Sequence, residues 1–159
     1  MKNTDHSKNT TLTVLIDTNI VVDVMLKRLP FFHNSYEVLK SCLDNKVHGY
    51  LSNQSIPTIW YLTRRELSDS QCRILMKAIF DYLDIIGFTK QQAIFALDRN
   101  DFQDYEDCLQ DESALNINAD YIITRNIKDY TTAKTPAILP EDFVKIIREA
   151  KKWNNLLTY

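Results

Sequence analysis

The chain has 159 residues, of which 45% are hydrophobic and 25% are charged, with a formal net charge of -2. These values predict one globular domain with a buried core, and the slightly acidic balance excludes a general attraction to polyanions. Because only two glycines occur, the sequence contains no Gly-rich phosphate loop, dinucleotide fingerprint or nucleophile elbow.

The N-terminal stretch of the chain is polar. Residues 1–11 lack the apolar centre of a signal peptide, and no apolar run approaches the roughly 18 residues that span a bilayer. The three cysteines are far apart and odd in number, which is typical of reduced thiols. We therefore expect a cytoplasmic protein without membrane contact, with a polar tail at 1–11, one domain at 12–153 and a short tail at 154–159.

Apolar periodicity predicts strands that alternate with helices, which is typical of an α/β fold with a parallel sheet and right-handed crossovers. The predicted strands are 12–17, 47–51, 85–88, 121–124 and 137–139. The predicted helices are 19–28, 32–45, 56–66, one capped by Asp69 or Ser70 that ends near 84, 90–97 capped by Thr89, 102–116 and 141–153. No internal repeat or domain boundary interrupts this order.

The first strand ends in an aspartate. The apolar run from Thr13 to Ile16 leads directly into Asp17, and a polar turn with Asn19 follows. Parallel sheets place their chemistry at the carboxyl ends of their strands, so Asp17 is a candidate site residue. The simpler interpretation is that Asp17 caps the following helix.

The helix predicted over 102–116 is strongly acidic. Seven acids and no lysine or arginine lie between Asn100 and Thr124, and helical spacing places Asp104, Asp107 and Asp111 on one face. Such like charges repel each other, so the pattern indicates a bound cation, although a solvated face and the helix dipole also explain part of it. Hard oxygen ligands favour Mg²⁺ or Mn²⁺, which Asp17, Asp107 and Asp104 would hold to activate water against a phosphodiester.

Three stretches together resemble the PIN domain family. They are 14–19 with Asp17, 104–110 with Asp107, and 119–130 with the strand that ends in Thr124-Arg125-Asn126. The resemblance covers about Thr13 to Ile147 and implies a three-layer α/β/α fold with about five parallel strands. It also implies an Mg²⁺- or Mn²⁺-dependent endoribonuclease, of the kind that includes VapC-type toxins held by an antitoxin, and it allows a homodimer.

The resemblance assigns the acids of the family residue by residue. Asp17 and Asp107 match two of about four acids, with Asp104 as a neighbour, and Asn19, Thr124, Asn126 and Asp129 are supporting residues. Two positions depart from the family pattern, because Thr58 and Asn126 stand where acids are usual. Arg125 is a candidate for binding the phosphate of RNA, or else it pairs with a nearby acid.

Two other functions stay open at this point. The depleted acid set allows a PIN-like module that binds RNA or a protein without cutting. A haloacid-dehalogenase-type phosphotransferase also begins with a strand that ends in aspartate, but it requires a second aspartate where this chain has Asn19. The sequence names neither the RNA nor the bond that would be cut.

Overall fold

A computed structural model describes residues 11–156, with the side chains of 151–156 excepted. Five strands form one parallel sheet in the order β3-β2-β1-β4-β5. The strands are β1 Leu12–Ile16, β2 Val47–Ser52, β3 Asp84–Ile86, β4 Tyr121–Ile123 and β5 Ala137–Ile138. The predicted α/β fold with about five parallel strands is confirmed.

Seven α-helices flank the sheet within the described range. They are α1 Thr18–Met25, α2 Phe32–Leu43, α3 Ser55–Thr63, α4 Asp69–Phe80, α5 Lys90–Asp98, α6 Tyr105–Asn116 and α7 Pro140–Leu156. A 3-10 helix at Ile127–Tyr130 was not predicted. None of the helices within 11–156 combines the length and apolar character needed to cross a bilayer.

The central strand β1 supplies both faces of the core. Val14 and Ile16 pack into the larger cluster, whereas Leu15 lies on the other face with Ile122. Helix α1 contacts α2 and α3, α2 contacts α7, and α5 packs on α6, which contacts β1 and β4. Since strand side chains alternate between faces, the continuous apolar run of β1 is the pattern of a strand covered on both sides.

Two helix starts differ from the sequence predictions. Helix α4 is capped by Ser68, whose hydroxyl accepts from the Gln71 amide in a capping box, rather than by Asp69 or Ser70. Helix α6 begins at Tyr105 and not near Phe102, because Asp104 has extended backbone angles and caps it. The predicted cap at Thr89 is present at the start of α5.

The two predicted tails lie mostly outside the described residues, which exclude 1–10 and 157–159. Helix α7 continues to Leu156, three residues beyond its predicted end. The domain bounds of 12–153 therefore stay a prediction.

Candidate active site

The sheet reverses its strand order next to β1. Strand β2 lies on one side of β1 and β4 on the other, and both pairings continue to Ile16, which is in register with Leu51 and Ile123. In open α/β sheets this switch point leaves a crevice beyond the carboxyl ends of the strands. Asp17 follows Ile16, so its side chain is delivered to that crevice.

Asp17 is held by two polar groups at the end of β4 and by one on α1. Its Oδ2 accepts from the Thr124 hydroxyl at 2.6 Å and from Asn19 Nδ2 at 2.7 Å, and its amide donates to the Ile123 carbonyl at 3.0 Å. The Asp17 side chain makes no capping hydrogen bond to the backbone of α1, and its side-chain partner on that helix is Asn19. The capping interpretation therefore gives way to a carboxylate fixed between β1 and β4.

Burial raises the pKa of Asp17, while the hydrogen bonds from Thr124, the Thr18 backbone and Asn19 oppose that rise. The charge of Glu106 raises this pKa further. The side chain is only 9% exposed. A nearby cation stabilises the charged form of a buried carboxylate whose pKa is raised in this way.

Thr124 connects the polar residues of this edge. Its Oγ1 accepts from the Asn126 amide at 3.0 Å and lies 3.3 Å from Asn19 Nδ2. The side-chain oxygen of Asn19 accepts from the Arg125 amide at 3.3 Å. The predicted supporting residues Asn19, Thr124 and Asn126 are thus brought together with Asp17.

A cleft of about 250 Å³ opens at this edge of the sheet. Its lining includes the predicted residues Asp17, Asn19, Asp107 and Asn126, together with Thr18, Val22, Arg28, Thr58, Leu62, Glu106 and Gln110. We call this the inner cleft. Thr58 lines this cleft, as the family resemblance predicts. The sequence did not indicate a site role for Thr18, Arg28, Glu106 or Gln110.

A second cleft of about 760 Å³ lies beside the first and shares Asp107 with it. Asp104 and Asp129 line this outer cleft, with Lys128 among their neighbours. Asp104 Oδ1 accepts from the Glu106 amide at 2.7 Å as the cap of α6. The structure therefore brings Asp17 and Asp107 to one cleft and places Asp104 and Asp129 in the adjoining one.

Asp107 has an unusual acidity for an aspartate. Burial and the neighbouring charge of Asp104 raise its pKa to about 6, with smaller contributions from Asp17 and Asp129. The nearby Tyr130 hydroxyl lowers this pKa. Strongly perturbed carboxylates in a cleft are a frequent property of functional sites.

The acidic stretch is partly neutralised by a base that precedes it. Arg99 donates to Asp111 at 2.6 Å, to Glu112 at 3.1 Å and to Asp101 at 2.9 Å. Asp111 is fully buried and also accepts from the amides of Lys134 and Thr135. The expectation of an unpaired stripe through Asp104, Asp107 and Asp111 is therefore wrong at Asp111.

Arg125 pairs with Asp23 rather than with Asp17 or Asp107. Its Nε lies 2.8 Å from Asp23 Oδ2, and its guanidinium stacks 4.0 Å from the centre of the Phe31 ring. Asp23 is fully buried and also accepts from the Ser35 hydroxyl. Phosphate binding by Arg125 stays a prediction, and Arg28 is the cationic residue among those that line the inner cleft.

The residues of the inner cleft fit a hydrated hard cation with few protein carboxylates. Within 11–156, no three histidine, cysteine, aspartate or glutamate side chains converge as a metal-binding group. However, the buried side-chain oxygens Thr18 Oγ1 and Gln110 Oε1 have no hydrogen-bond partner among the residues that the structure describes, and both residues line the cleft with Asp17 and Asp107. Mg²⁺ keeps several waters and uses one or two carboxylates, so this donor set suits it.

The comparisons with known proteins agree with this geometry. The sequence model of the PIN domain family matches residues 13–128, and the chain therefore belongs to the PIN domain family. PIN domains are generally nucleases that usually use divalent metals. No curated protein sequence matches the chain.

Three solved structures share the fold. A chain of VapBC2 from Rickettsia felis, bound to a DNA fragment from their promoter, has 18% identity and a TM-score of 0.60, covering 80% of this chain and 98% of that one. A chain of FitAB bound to the IR36 DNA fragment has 17% identity and a TM-score of 0.55, covering 80% and 94%. VapC20 from Mycobacterium tuberculosis, described as a sarcin-ricin loop cleaving toxin, has 12% identity and a TM-score of 0.54, covering 69% and 86%.

Proposed function

We propose that this PIN domain protein is an Mg²⁺- or Mn²⁺-dependent endoribonuclease that hydrolyses RNA phosphodiester bonds. The observation that carries the proposal is the convergence of Asp17 and Asp107 on one cleft at the switch point of the sheet. Membership of the PIN family supports the reaction class. The similarity of the fold to a toxin described as cleaving the sarcin-ricin loop supports RNA as the substrate.

In this proposal Asp17 and Asp107 hold the cation, with Asn126 beside them as a neutral ligand. When bound, the cation supplies an activated water and offsets the negative charge of the phosphate under attack. Thr124 and Asn19 keep the Asp17 carboxylate in place through its Oδ2. Arg28, on the wall of the same cleft, contacts the substrate phosphate.

Asp104 and Asp129 contribute through their charge in this scheme. Both line the outer cleft and raise the pKa of Asp107, and Asp104 does so more strongly. Their carboxylates increase the negative potential around Asp107, which favours capture of a divalent cation. In this proposal Asp104 acts as a neighbouring charge, and the sequence-based expectation that it is a direct ligand stays a prediction.

A toxin-antitoxin role follows from the same comparisons. The VapBC2 and FitAB structures are two-component complexes on DNA, so we propose an antitoxin as a protein partner of this chain. A small DNA-binding protein encoded beside this chain, which copurifies with it and suppresses cleavage, would support that role. A PIN domain that copurifies with no such neighbour would act without an antitoxin.

A second function competes with the first. The absence of a three-acid cluster within 11–156, with Thr58 on the cleft wall, favours a module that binds RNA or protein without cutting. Such a module would bind RNA equally well with EDTA and with Mn²⁺. The two functions therefore differ in a property that can be measured.

The deciding experiment measures RNA cleavage by the purified protein with Mn²⁺, Mg²⁺ or EDTA. Asp17→Asn and Asp107→Asn remove the two aspartate carboxylates of the inner cleft and leave Glu106 in place, and Asp81→Asn removes an exposed acid as the matched control. We expect cleavage with either metal, none with EDTA, and loss in the two cleft variants alone. Cleavage that persists in EDTA or in Asp17→Asn would refute the metal site, and RNA binding without cleavage would favour the second function.

A further inference from the structure

Gln110 is a buried amide on the wall of the inner cleft. It lies on α6 one turn after Asp107, and its side chain is only 2% exposed. Its Nε2 donates to the Ser55 hydroxyl at 3.1 Å, while its Oε1 has no hydrogen-bond partner among the described residues. A buried acceptor without a partner loses its hydration with nothing to replace it, so an oxygen in this position needs a partner or a reason to lack one.

The anchor of this amide lies at the start of α3. Ser55 is the first residue of that helix and is fully buried, and Thr58 lies one turn further along it. Thr58 lines the inner cleft but brings no carboxylate to it. Gln110 therefore lines the cleft with an oxygen-bearing side chain. The same side chain contacts α3, the helix that brings no acid to this cleft.

Thr18 is a second residue of this kind. Its side-chain Oγ1 is buried and has no hydrogen-bond partner within the described part of the chain, and the residue lines the same cleft. Two unpaired oxygens on one cleft wall match the needs of a hydrated cation, because its bound waters donate hydrogen bonds to neutral acceptors. An apolar ligand would leave both oxygens unpaired.

We propose that Gln110 is a further member of the metal-binding set, whose Oε1 supplies the neutral oxygen that replaces the absent acid at Thr58. This inference rests on the proposed function and assigns part of its ligand set. In the structure the amide nitrogen donates to Ser55, which leaves Oε1 as the unbonded end of a side chain that lines the cleft with Asp17 and Asp107. An amide in place of a carboxylate removes one negative charge from the site, so the site binds the cation less tightly.

The opposite orientation of the amide makes a different prediction. With Oε1 toward Ser55, the cleft would receive Nε2, a donor that repels a cation. Gln110 would then be a packing residue. Replacement by methionine distinguishes the two orientations, because loss of an oxygen that faces the site weakens cation binding, whereas loss of a repelling Nε2 donor does not.

The test is Mn²⁺ binding measured by calorimetry on the metal-free full chain at pH 7.5. The variants are Gln110→Glu, Gln110→Met and Asp17→Asn, and Gln91→Glu is the control for the change in net charge, since Gln91 is exposed on α5. We expect Gln110→Met to weaken Mn²⁺ binding about tenfold and Gln110→Glu to tighten it about tenfold. Gln91→Glu should leave the affinity unchanged.

The outcomes separate this inference from the proposed function. If Asp17→Asn abolishes Mn²⁺ binding while both Gln110 variants bind like the wild type, the role of Gln110 is refuted and the metal site stands. If the wild-type protein binds no Mn²⁺, the metal site and the role of Gln110 fail together. If thermal melting shows that Gln110→Met does not fold, Gln110→Glu decides, because it keeps the size and shape of the side chain.

Discussion

Thr124 at the end of β4 donates its hydroxyl hydrogen to Asp17 Oδ2 at 2.6 Å, which joins the two central strands of the switch point through a carboxylate. This hydrogen bond lowers the pKa of Asp17 against the effect of burial. Thr124 is itself fully buried, and its Oγ1 accepts from the Asn126 amide. The Thr124 hydroxyl therefore holds both the Asp17 carboxylate and the Asn126 backbone amide at the candidate metal site.

Replacement of Thr124 by valine should weaken metal binding with little change in shape. The variant removes the donor to Asp17, so the pKa of Asp17 rises further and its charged form becomes rarer. A hydrogen bond to a charged group contributes about 1.5–3 kcal/mol, from which we expect at least about a tenfold loss of Mn²⁺ affinity by calorimetry. Thr124→Ser keeps the hydroxyl and should bind like the wild type, and equal affinity in Thr124→Val would contradict this role.

The position of Asp17 could be predicted from local sequence, whereas the role of Gln110 could not. A buried strand of the parallel type reads as a continuous apolar run, so the residue after it falls at the edge of the sheet whatever the other strands do. Gln110 lies among acids that look like a solvated helix face. Its hydrogen-bond partner Ser55 is 55 positions away in the sequence.

The ion pairs could not be predicted from the sequence, for a similar reason. Arg99 precedes the acidic helix and meets Asp111 only because α5 packs against α6. The sequence correctly predicts that Arg125 follows a strand, but its partner Asp23 comes from α1. Side-chain partners of this kind follow from how helices cross, and no local pattern specifies that.

The metal-free protein should lose stability as the pH rises from about 4 to about 6. Burial and the charge of Asp104 raise the pKa of Asp107 to about 6 in the folded state, whereas an unfolded aspartate titrates near 3.9. Between these values only the folded state holds the proton, so its advantage disappears as the pH increases. After allowance for solvent screening we expect a loss of about 1 kcal/mol in the free energy of unfolding, measured by urea titration in EDTA.

Asp107→Asn is the matched variant, since it cannot titrate. Its free energy of unfolding should change less over this pH range than that of the wild type. Mn²⁺ binding to the wild type should weaken about tenfold from pH 7 to pH 5, because the cation competes with the proton on Asp107. A pH-independent Mn²⁺ affinity would exclude Asp107 as a ligand.

Removal of Arg99 should destabilise the fold strongly. Arg99→Met leaves the buried Asp111 carboxylate without its cation, although the amides of Lys134 and Thr135 still donate to it. Breaking a buried pair in this way costs about 3–5 kcal/mol. Urea denaturation measures the effect, and Lys145→Met is the control because its pair with Asp142 is largely exposed.

The control pair should contribute less than about 1 kcal/mol. Since α6 carries Asp107, any Arg99→Met protein that stays folded should also bind Mn²⁺ less tightly. Similar destabilisation by Arg99→Met and Lys145→Met would show that Asp111 does not depend on Arg99.

Asp104 offers the sharpest test of how the two clefts divide their roles. As the cap of α6 its Oδ1 accepts from the Glu106 amide, and serine serves that purpose nearly as well as aspartate. We therefore expect Asp104→Ser to keep the stability of the wild type, whereas Asp104→Ala should lose about 1 kcal/mol in urea denaturation.

Metal binding then separates a neighbouring charge from a direct ligand. The serine variant keeps the cap but removes the carboxylate, which leaves Asp107 with a lower pKa because the Asp104 charge that raises it is gone. At pH 7.5 Asp107 is already ionised, so we expect Mn²⁺ affinity to change by less than about threefold, the effect of one nearby solvent-exposed charge. A loss of Mn²⁺ binding as large as that of Asp17→Asn would instead identify Asp104 as a direct ligand of the cation. The inner and outer clefts would then form one metal site around Asp107.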